Sequence, residues 1–130
     1  MSARVVFFLQ TGTFEPAFQA TTMGVTAAAM GEEVIYVFAF DALRQLVRGS
    51  FGLPRTEREM AERTRAEGLG LPAPAKLLTE ARDLGAKLYA CDTTVRICGF
   101  VPDELSHLLD EVAGLPTIWR LTQGARTLTF

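Results

Sequence analysis

The sequence lacks the features that mark several large classes of protein. Its two cysteines are too few for the disulfide framework of a small secreted domain, and with one histidine at an unsuitable spacing they do not suggest a zinc site. Its 13 basic and 15 acidic side chains give a net charge of -2, without the basic excess that binds nucleic acid. No window approaches the roughly 18 uninterrupted apolar residues of a membrane span. We therefore expect no metal site, no nucleic-acid partner and no membrane span.

The chain length and the amino-terminal segment predict a single cytoplasmic domain. A chain of 130 residues is long enough to bury one core and too short for two, so we assign residues 1–130 to one domain. The apolar run "VVFFL" near the start is shorter than the core of a signal peptide, and no small-residue cleavage site follows it. We expect a cytoplasmic protein with reduced thiols.

Apolar runs and helical patterns alternate along most of the chain. Buried strands are predicted at residues 4–10, 33–40 and 87–91, where the sequence is rich in aliphatic and aromatic residues. Amphipathic or Ala-rich helices are predicted at 14–30, in "ALRQLV" behind a capping Asp41, and in "APAKLLTEARDLGA". Such alternation requires parallel strands with helices on both faces, so the fold class is α/β with three layers.

Two segments do not fit this alternation clearly. Residues 49–74 combine Gly, Pro and alternating charge, which predicts an exposed helix or a mobile flap between core elements. Beyond Gly99, the spacing of Leu105, Leu108, Leu109 and Val112 predicts a helix over residues 103–113.

Cys91 is the main candidate for chemistry because it ends a predicted strand. Ligands of parallel α/β sheets bind at the carboxyl ends of the strands. If a helix begins at "DTTVRIC", the free amides near Thr93 and Thr94 and the helix dipole favour the thiolate form of Cys91. The neighbouring charge of Asp92 opposes this, and free cysteines are often simply buried. Both interpretations of Cys91, reactive and structural, stay open at this point.

The remaining motifs are weaker. Cys98 lies seven residues after Cys91, about 10 Å along a helix, whereas a disulfide needs Cα atoms within about 7 Å, so we expect Cys98 to be a small core residue. "GLGLPA" matches a dinucleotide-binding pattern but follows a charged segment instead of a strand. "QTGT" lacks the lysine of a phosphate-binding loop. We expect no cofactor.

The sequence as a whole resembles one known family. The segments "FFLQTGT", "TTMGVTAAAMGEEVIYVFAF", "LLTEARDLGAKLYACDTTVRICGF", "EVAGLPTIW" and "TLTF" are similar to the DsrE/DsrF-like proteins of bacterial sulfur relay. The resemblance implies an α/β/α fold with a five-stranded, mainly parallel sheet. It also implies a fourth strand at "LLDEV", a helix at "LPTIWRLTQG" and a fifth strand at "RTLTF", in place of the helix that periodicity predicts over 103–113.

The resemblance further implies a function and its site. Cys91 would accept sulfur as a persulfide from a donor protein and pass it to an acceptor protein, as a sulfurtransferase of a sulfur relay does. Thr93 and Thr94 would hydrogen-bond the sulfur, and Thr11 and Gly12 would form the opposite wall of the site. The flap at 49–74 would cover it. The resemblance and the Ala-rich helix together predict a homo-oligomer, a dimer or trimer.

A second hypothesis belongs to another functional class. In it, the protein is a non-catalytic oligomeric module that binds a small ligand or a protein segment in the cleft at the strand ends. Cys91 would then be buried and inert, which the adjacent negative charge of Asp92 favours.

Overall fold

The computed structural model of the protein describes residues 3–130, and within them the chain forms five strands and six α-helices. Residues 1 and 2 of the predicted domain lie outside this range. The strands are β1 (Arg4–Leu9), β2 (Glu33–Phe38), β3 (Lys87–Cys91), β4 (Glu111–Ala113) and β5 (Arg126–Thr129). The helices are α1 (Phe14–Ala29), α2 (Phe40–Arg48), α3 (Glu57–Gly68), α4 (Pro74–Asp83), α5 (Asp92–Ile97) and α6 (Leu115–Leu121).

All five strands pair in parallel in one sheet, in the order β4-β3-β2-β1-β5. The predicted α/β class and five-stranded sheet are therefore confirmed. The apolar runs of β1 and β2 occupy central positions, where a parallel strand is covered on both faces. Because the strands run in one direction, their carboxyl ends and the loops that follow them lie along one edge of the sheet.

The two faces of the sheet are covered unequally. Buried apolar side chains form a larger core cluster on one face of the sheet and a smaller one on the other. Because side chains alternate along each strand, Leu88 and Ala90 of β3 belong to the larger cluster, whereas Tyr89 and Cys91 pack against the smaller one. The larger cluster includes buried residues of α1, α2, α4 and α5. The smaller cluster receives its helical contribution from α6, through the buried Ile118. One face of the sheet thus has several helices over it, and the other has a helix of seven residues.

The prediction of a helix over residues 103–113 from periodicity is wrong, and the order of elements implied by the family resemblance is correct. A 3-10 turn at Pro102–Leu105 precedes β4. The Asp110 carboxylate accepts a hydrogen bond of 2.7 Å from the backbone N–H of Leu88 in β3, which fixes the start of β4 beside that strand. Leu105 and Leu109 are buried, so their spacing reflects anchoring of a loop to the core and not a continuous helix.

Residues 49–74 contain a regular, well-capped helix. In α3, the backbone N–H of Glu59 donates to the Thr56 hydroxyl, and the Glu59 carboxylate accepts from the backbone N–H groups of Arg55 and Thr56. These backbone donors lower the pKa of Glu59. Arg58 forms an ion pair of 3.3 Å with Glu15, at the start of α1. The structure thus has a helix at Glu57–Gly68 within this segment, and the flap that would cover the site of Cys91 stays a prediction.

Two further expectations concern helices. The predicted cap Asp41 instead lies within the first turn of α2, whose N-cap is Ala39, and it pairs with Arg44 at 2.6 Å. The second expectation is that the Ala-rich stretch of α1 contributes to a homo-oligomer. In this stretch, Ala27 and Ala28 are half-buried against the core of their own chain. Within residues 3–130, no helix is long and apolar enough to cross a membrane.

Candidate functional site

Cys91 is the last residue of β3 and the N-cap residue of α5, with extended backbone angles of φ -74 and ψ 131. The strand ends here because Asp92 begins the short helix that turns the chain back over the sheet. The Cys91 side chain is half-buried and points to the face covered by α6. Its sulfur is therefore neither fully enclosed in the core nor free on the surface.

The strands on either side of β3 bring two apolar residues to the same edge. Cys91 is the register partner of Ala113 in β4, and Leu115 follows two residues later with 60% of its surface exposed. On the other side, β2 ends at Phe38, the partner of Ala90, and Phe40 follows two residues later with 40% exposed. The carboxyl ends of β2, β3 and β4 thus present Phe40, Cys91 and Leu115, which we call the apolar edge.

Phe40 has an unusual backbone. Its φ of 46 makes it the one non-glycine residue with positive φ in the part of the chain that the structure describes. An aromatic residue in this region is strained by its Cβ, at a cost of about 1–3 kcal/mol, and such strain occurs often at binding sites. Nothing in the stretch "FAFDA" signals a left-handed residue, so the sequence does not predict the conformation of Phe40.

The charge beside Cys91 is balanced. Arg96 lies one turn after Asp92 in α5, and its Nε donates to both carboxylate oxygens of Asp92, at 3.1 and 3.2 Å. Both side chains are largely exposed, so this pair adds little to stability. The negative charge of Asp92 disfavours a thiolate at Cys91, and the positive charge of Arg96 next to it offsets this effect.

Tyr89 lies on the same face of β3 as Cys91, two residues earlier. Burial raises the pKa of the Tyr89 phenol, and the carboxylate of its neighbour Glu111 raises it further. These two residues are register partners across β3 and β4. The phenol therefore stays protonated at neutral pH, and it can donate a hydrogen bond but not act as a base.

The predicted binding residues fall into two groups. Thr93 and Thr94 lie in the first turn of α5, directly after Cys91, Thr93 exposed and Thr94 half-buried. Thr11 and Gly12 follow β1, which β2 separates from β3. A Cβ at Gly12 would overlap Gln45 and lie 3.0 Å from Phe51, so Gly12 faces α2 and the loop after it. The opposite wall formed by Thr11 and Gly12 stays a prediction.

Cys98 is placed differently from Cys91. It is the C-cap residue of α5, and its backbone N–H donates to the carbonyl of Thr94 at 3.0 Å. Its half-buried side chain packs against the larger core cluster. The two cysteines thus lie at opposite ends of α5 and contact opposite sides of the sheet. No group of three or more His, Cys, Asp or Glu side chains within residues 3–130 is arranged to hold a metal ion.

Comparisons with known proteins agree with this architecture. The model of the DsrE/DsrF-like family matches residues 4–130. The fold is similar to that of the ychN protein from E. coli, with a TM-score of 0.61 and 17% identity over 100% of both chains. It is also similar to a conserved protein of unknown function from Bacteroides thetaiotaomicron, with a TM-score of 0.62 and 11% identity over 98% of this chain and 94% of that one. No curated protein matches the sequence.

Proposed function

This chain belongs to the DsrE/DsrF-like family, and from that membership we propose that it is a sulfur carrier that accepts sulfur as a persulfide on Cys91. Its two free cysteines suit the reducing cytoplasm, where we place it. The observation that carries the proposal is the position of Cys91. It is a half-buried thiol at the carboxyl end of a parallel strand, the edge at which α/β proteins of this kind bind their ligands.

The proposed transfer needs no cofactor. The Cys91 thiolate attacks the outer sulfur of a donor persulfide, the donor's S–S bond breaks, and the donor leaves as a thiolate. Cys91 now carries a persulfide and is oxidised, while the donor sulfur is reduced. An acceptor thiolate then attacks the outer sulfur of the Cys91 persulfide, which restores the Cys91 thiolate. The pairing of Asp92 with Arg96 supports both steps because it offsets the negative charge that would repel an incoming thiolate.

Protein partners fit the apolar edge better than a small donor does. Phe40 and Leu115 are exposed apolar side chains at the strand ends that flank Cys91. Exposed apolar groups next to a reactive thiol give a partner protein a surface to contact while its own thiol approaches the sulfur. We therefore propose that donor and acceptor are proteins that contact Phe40 and Leu115.

Sulfur loading of the wild-type protein tests this function. We expect incubation with a persulfide donor to add one sulfur atom on Cys91, seen by intact-mass and peptide mass spectrometry and removed by dithiothreitol. We also expect iodoacetamide to alkylate Cys91 faster than Cys98 in the native protein. A native protein that takes up no sulfur and alkylates slowly at both cysteines would favour the non-catalytic binding module.

We further propose that the protein is a homo-oligomer, with a second copy over the face that carries α6. Both faces of a fully parallel sheet are normally covered, and here one face has only the seven residues of α6 within residues 3–130. On α6, Trp119 is 72% exposed, and tryptophan is a residue typical of protein interfaces.

Light scattering tests the oligomer. We expect at least a dimer at micromolar concentration, and we expect Trp119→Ala to shift the mass toward that of one chain. Arg63→Ala is a matched control, because Arg63 lies on α3 and pairs with Glu67 of the same helix. A wild-type protein that scatters as a single chain would refute the proposal.

A further inference from the structure

The strand β2 passes into the helix α2 through a single residue, Ala39. The backbone N–H of Ala39 donates to the carbonyl of Leu9 at 2.9 Å, and the N–H of Ala42 donates to the carbonyl of Gln10 at 3.2 Å. The chain on both sides of Phe40 is therefore anchored to the end of β1. The change of direction falls on Phe40 itself, and these hydrogen bonds hold its φ at 46.

The turn at this position does not require a phenylalanine. A glycine adopts positive φ without strain, so the same backbone would cost less with a glycine in place of Phe40. The ring of Phe40 is 40% exposed and is not one of the buried residues of either core cluster. It recovers less burial free energy than a core residue such as Phe38, which is fully buried. Core packing thus does not account for an aromatic ring at this strained position.

Phe40 borders the position of Cys91. The last register pair of β2 and β3 is Phe38 with Ala90, so the next residues along the two strands are Ala39 and Cys91. Neighbouring strands of a sheet lie about 4.8 Å apart. Phe40 follows Ala39 directly, and an acceptor thiol that reaches Cys91 across this edge of the sheet passes Phe40.

The acidic groups at this edge are compensated within their own helices. Asp41, next to Phe40, pairs with Arg44 of α2 at 2.6 Å. Asp92, next to Cys91, pairs with Arg96 of α5 at 3.1 Å. Charge on an acceptor therefore gains little here, and apolar contact is the main basis on which this edge can select a partner.

We propose that Phe40 determines which thiols take sulfur from Cys91, by favouring cysteines that have bulky aliphatic neighbours. This inference rests on the proposed carrier function and adds the class of acceptor. The acceptor thiolate attacks the outer sulfur of the Cys91 persulfide, the S–S bond breaks, and Cys91 leaves as a thiolate. An aliphatic side chain beside the attacking cysteine packs on the exposed ring during this step, and the strained turn holds the ring in place for it.

Discharge of the sulfur-loaded protein by short peptides tests the proposal. The probes are capped tripeptides in which cysteine lies between two leucines, two serines or two lysines, and their rates are compared at equal thiolate concentration. We expect the leucine-flanked peptide to remove sulfur from the wild type about fivefold faster than the serine-flanked one. We expect the lysine-flanked peptide to be no faster than the serine-flanked one. Mass spectrometry follows the sulfur lost by the protein and gained by the peptide.

Variants of Phe40 separate the ring from the turn. Phe40→Gly removes the ring and suits the positive φ, so we expect its rate with the leucine-flanked peptide to fall about fivefold, to the serine rate. Because relief of the strain offsets the lost packing, its melting temperature should stay within about 3 °C of wild type. Phe40→Tyr keeps the ring and should keep the preference. Leu84→Ala is the matched control, since Leu84 is 53% exposed at the opposite edge of the sheet, where α4 ends before β3.

Several results would overturn the proposal while the persulfide on Cys91 stands. They are equal wild-type rates with the leucine- and serine-flanked peptides, a lysine-flanked peptide that reacts fastest, a preference that survives in Phe40→Gly, and a preference that Leu84→Ala also abolishes. A Phe40→Gly protein that melts far below wild type would overturn it too, because the ring would then serve the fold. A wild-type protein that takes up no sulfur refutes the carrier function and this inference together.

Discussion

Replacing Cys91 with serine is expected to abolish sulfur loading and to leave the fold unchanged. A serine hydroxyl cannot form a persulfide, so no sulfur should be gained from any donor. The substitution should cost little stability, because Cys91 is half-buried at a strand end and a hydroxyl there can be hydrated. Intact mass after exposure to a persulfide donor, together with a thermal melt, measures both expectations.

Cys98→Ser is the matched control, with the opposite expected result. Cys98 packs against the larger core cluster, so its serine variant should lose about 1–2 kcal/mol in the free energy of unfolding if the hydroxyl is left unpaired. It should still load sulfur on Cys91. If Cys91→Ser loads normally, or is the only one of the two to melt far below wild type, the chemical and structural cysteines have been exchanged and the carrier proposal fails.

Gly24→Ala is expected to destabilise the protein by about 3 kcal/mol, although alanine favours a helix. Gly24 lies in α1 against β2, and an added Cβ would overlap the Tyr36 hydroxyl and lie 2.6 Å from its Cζ. Tyr36 is fully buried and donates to the carbonyl of Ala20 at 3.1 Å, so it cannot move without losing that hydrogen bond. Urea unfolding, compared with wild type, measures the loss.

Two further variants isolate this cause. Gly68→Ala adds the same methyl group at the end of α3, where nothing lies within 4 Å, and should be neutral or slightly stabilising. Adding Tyr36→Phe to Gly24→Ala removes the overlapping oxygen and should recover part of the loss relative to Tyr36→Phe alone. A wild-type stability for Gly24→Ala would show that the helix moves away from the sheet at little cost.

The sequence predicts most of the sheet because its strands are buried and its helices are amphipathic. The strand at Lys87–Cys91 has the predicted ends, since the apolar run stops where Asp92 begins a helix. Periodicity failed over 103–113 because Leu105 and Leu109 are buried from a loop and a turn, which a spacing of four residues does not distinguish from a helix. Only the family template supplied the short strand β4.

The candidate site was predictable only in part. Cys91 could be placed at a strand end from its local sequence, and Thr93 and Thr94 follow it directly. Phe40 and Leu115 could not be found, because their position just beyond the strands that flank β3 depends on the order of β2, β3 and β4 in the sheet, and no local pattern encodes strand order. The same order separates Thr11 and Gly12 from Cys91 by one intervening strand.

The placement of the two cysteines at opposite ends of α5 has a kinetic consequence for the proposed carrier. A second thiol within reach would attack a loaded Cys91 and release sulfide, so that the carrier would discharge itself in a reaction independent of any partner. Cys98 contacts the other side of the sheet and cannot make that attack while α5 is folded. Discharge is then second order, and its rate is set by the concentration of the acceptor thiol.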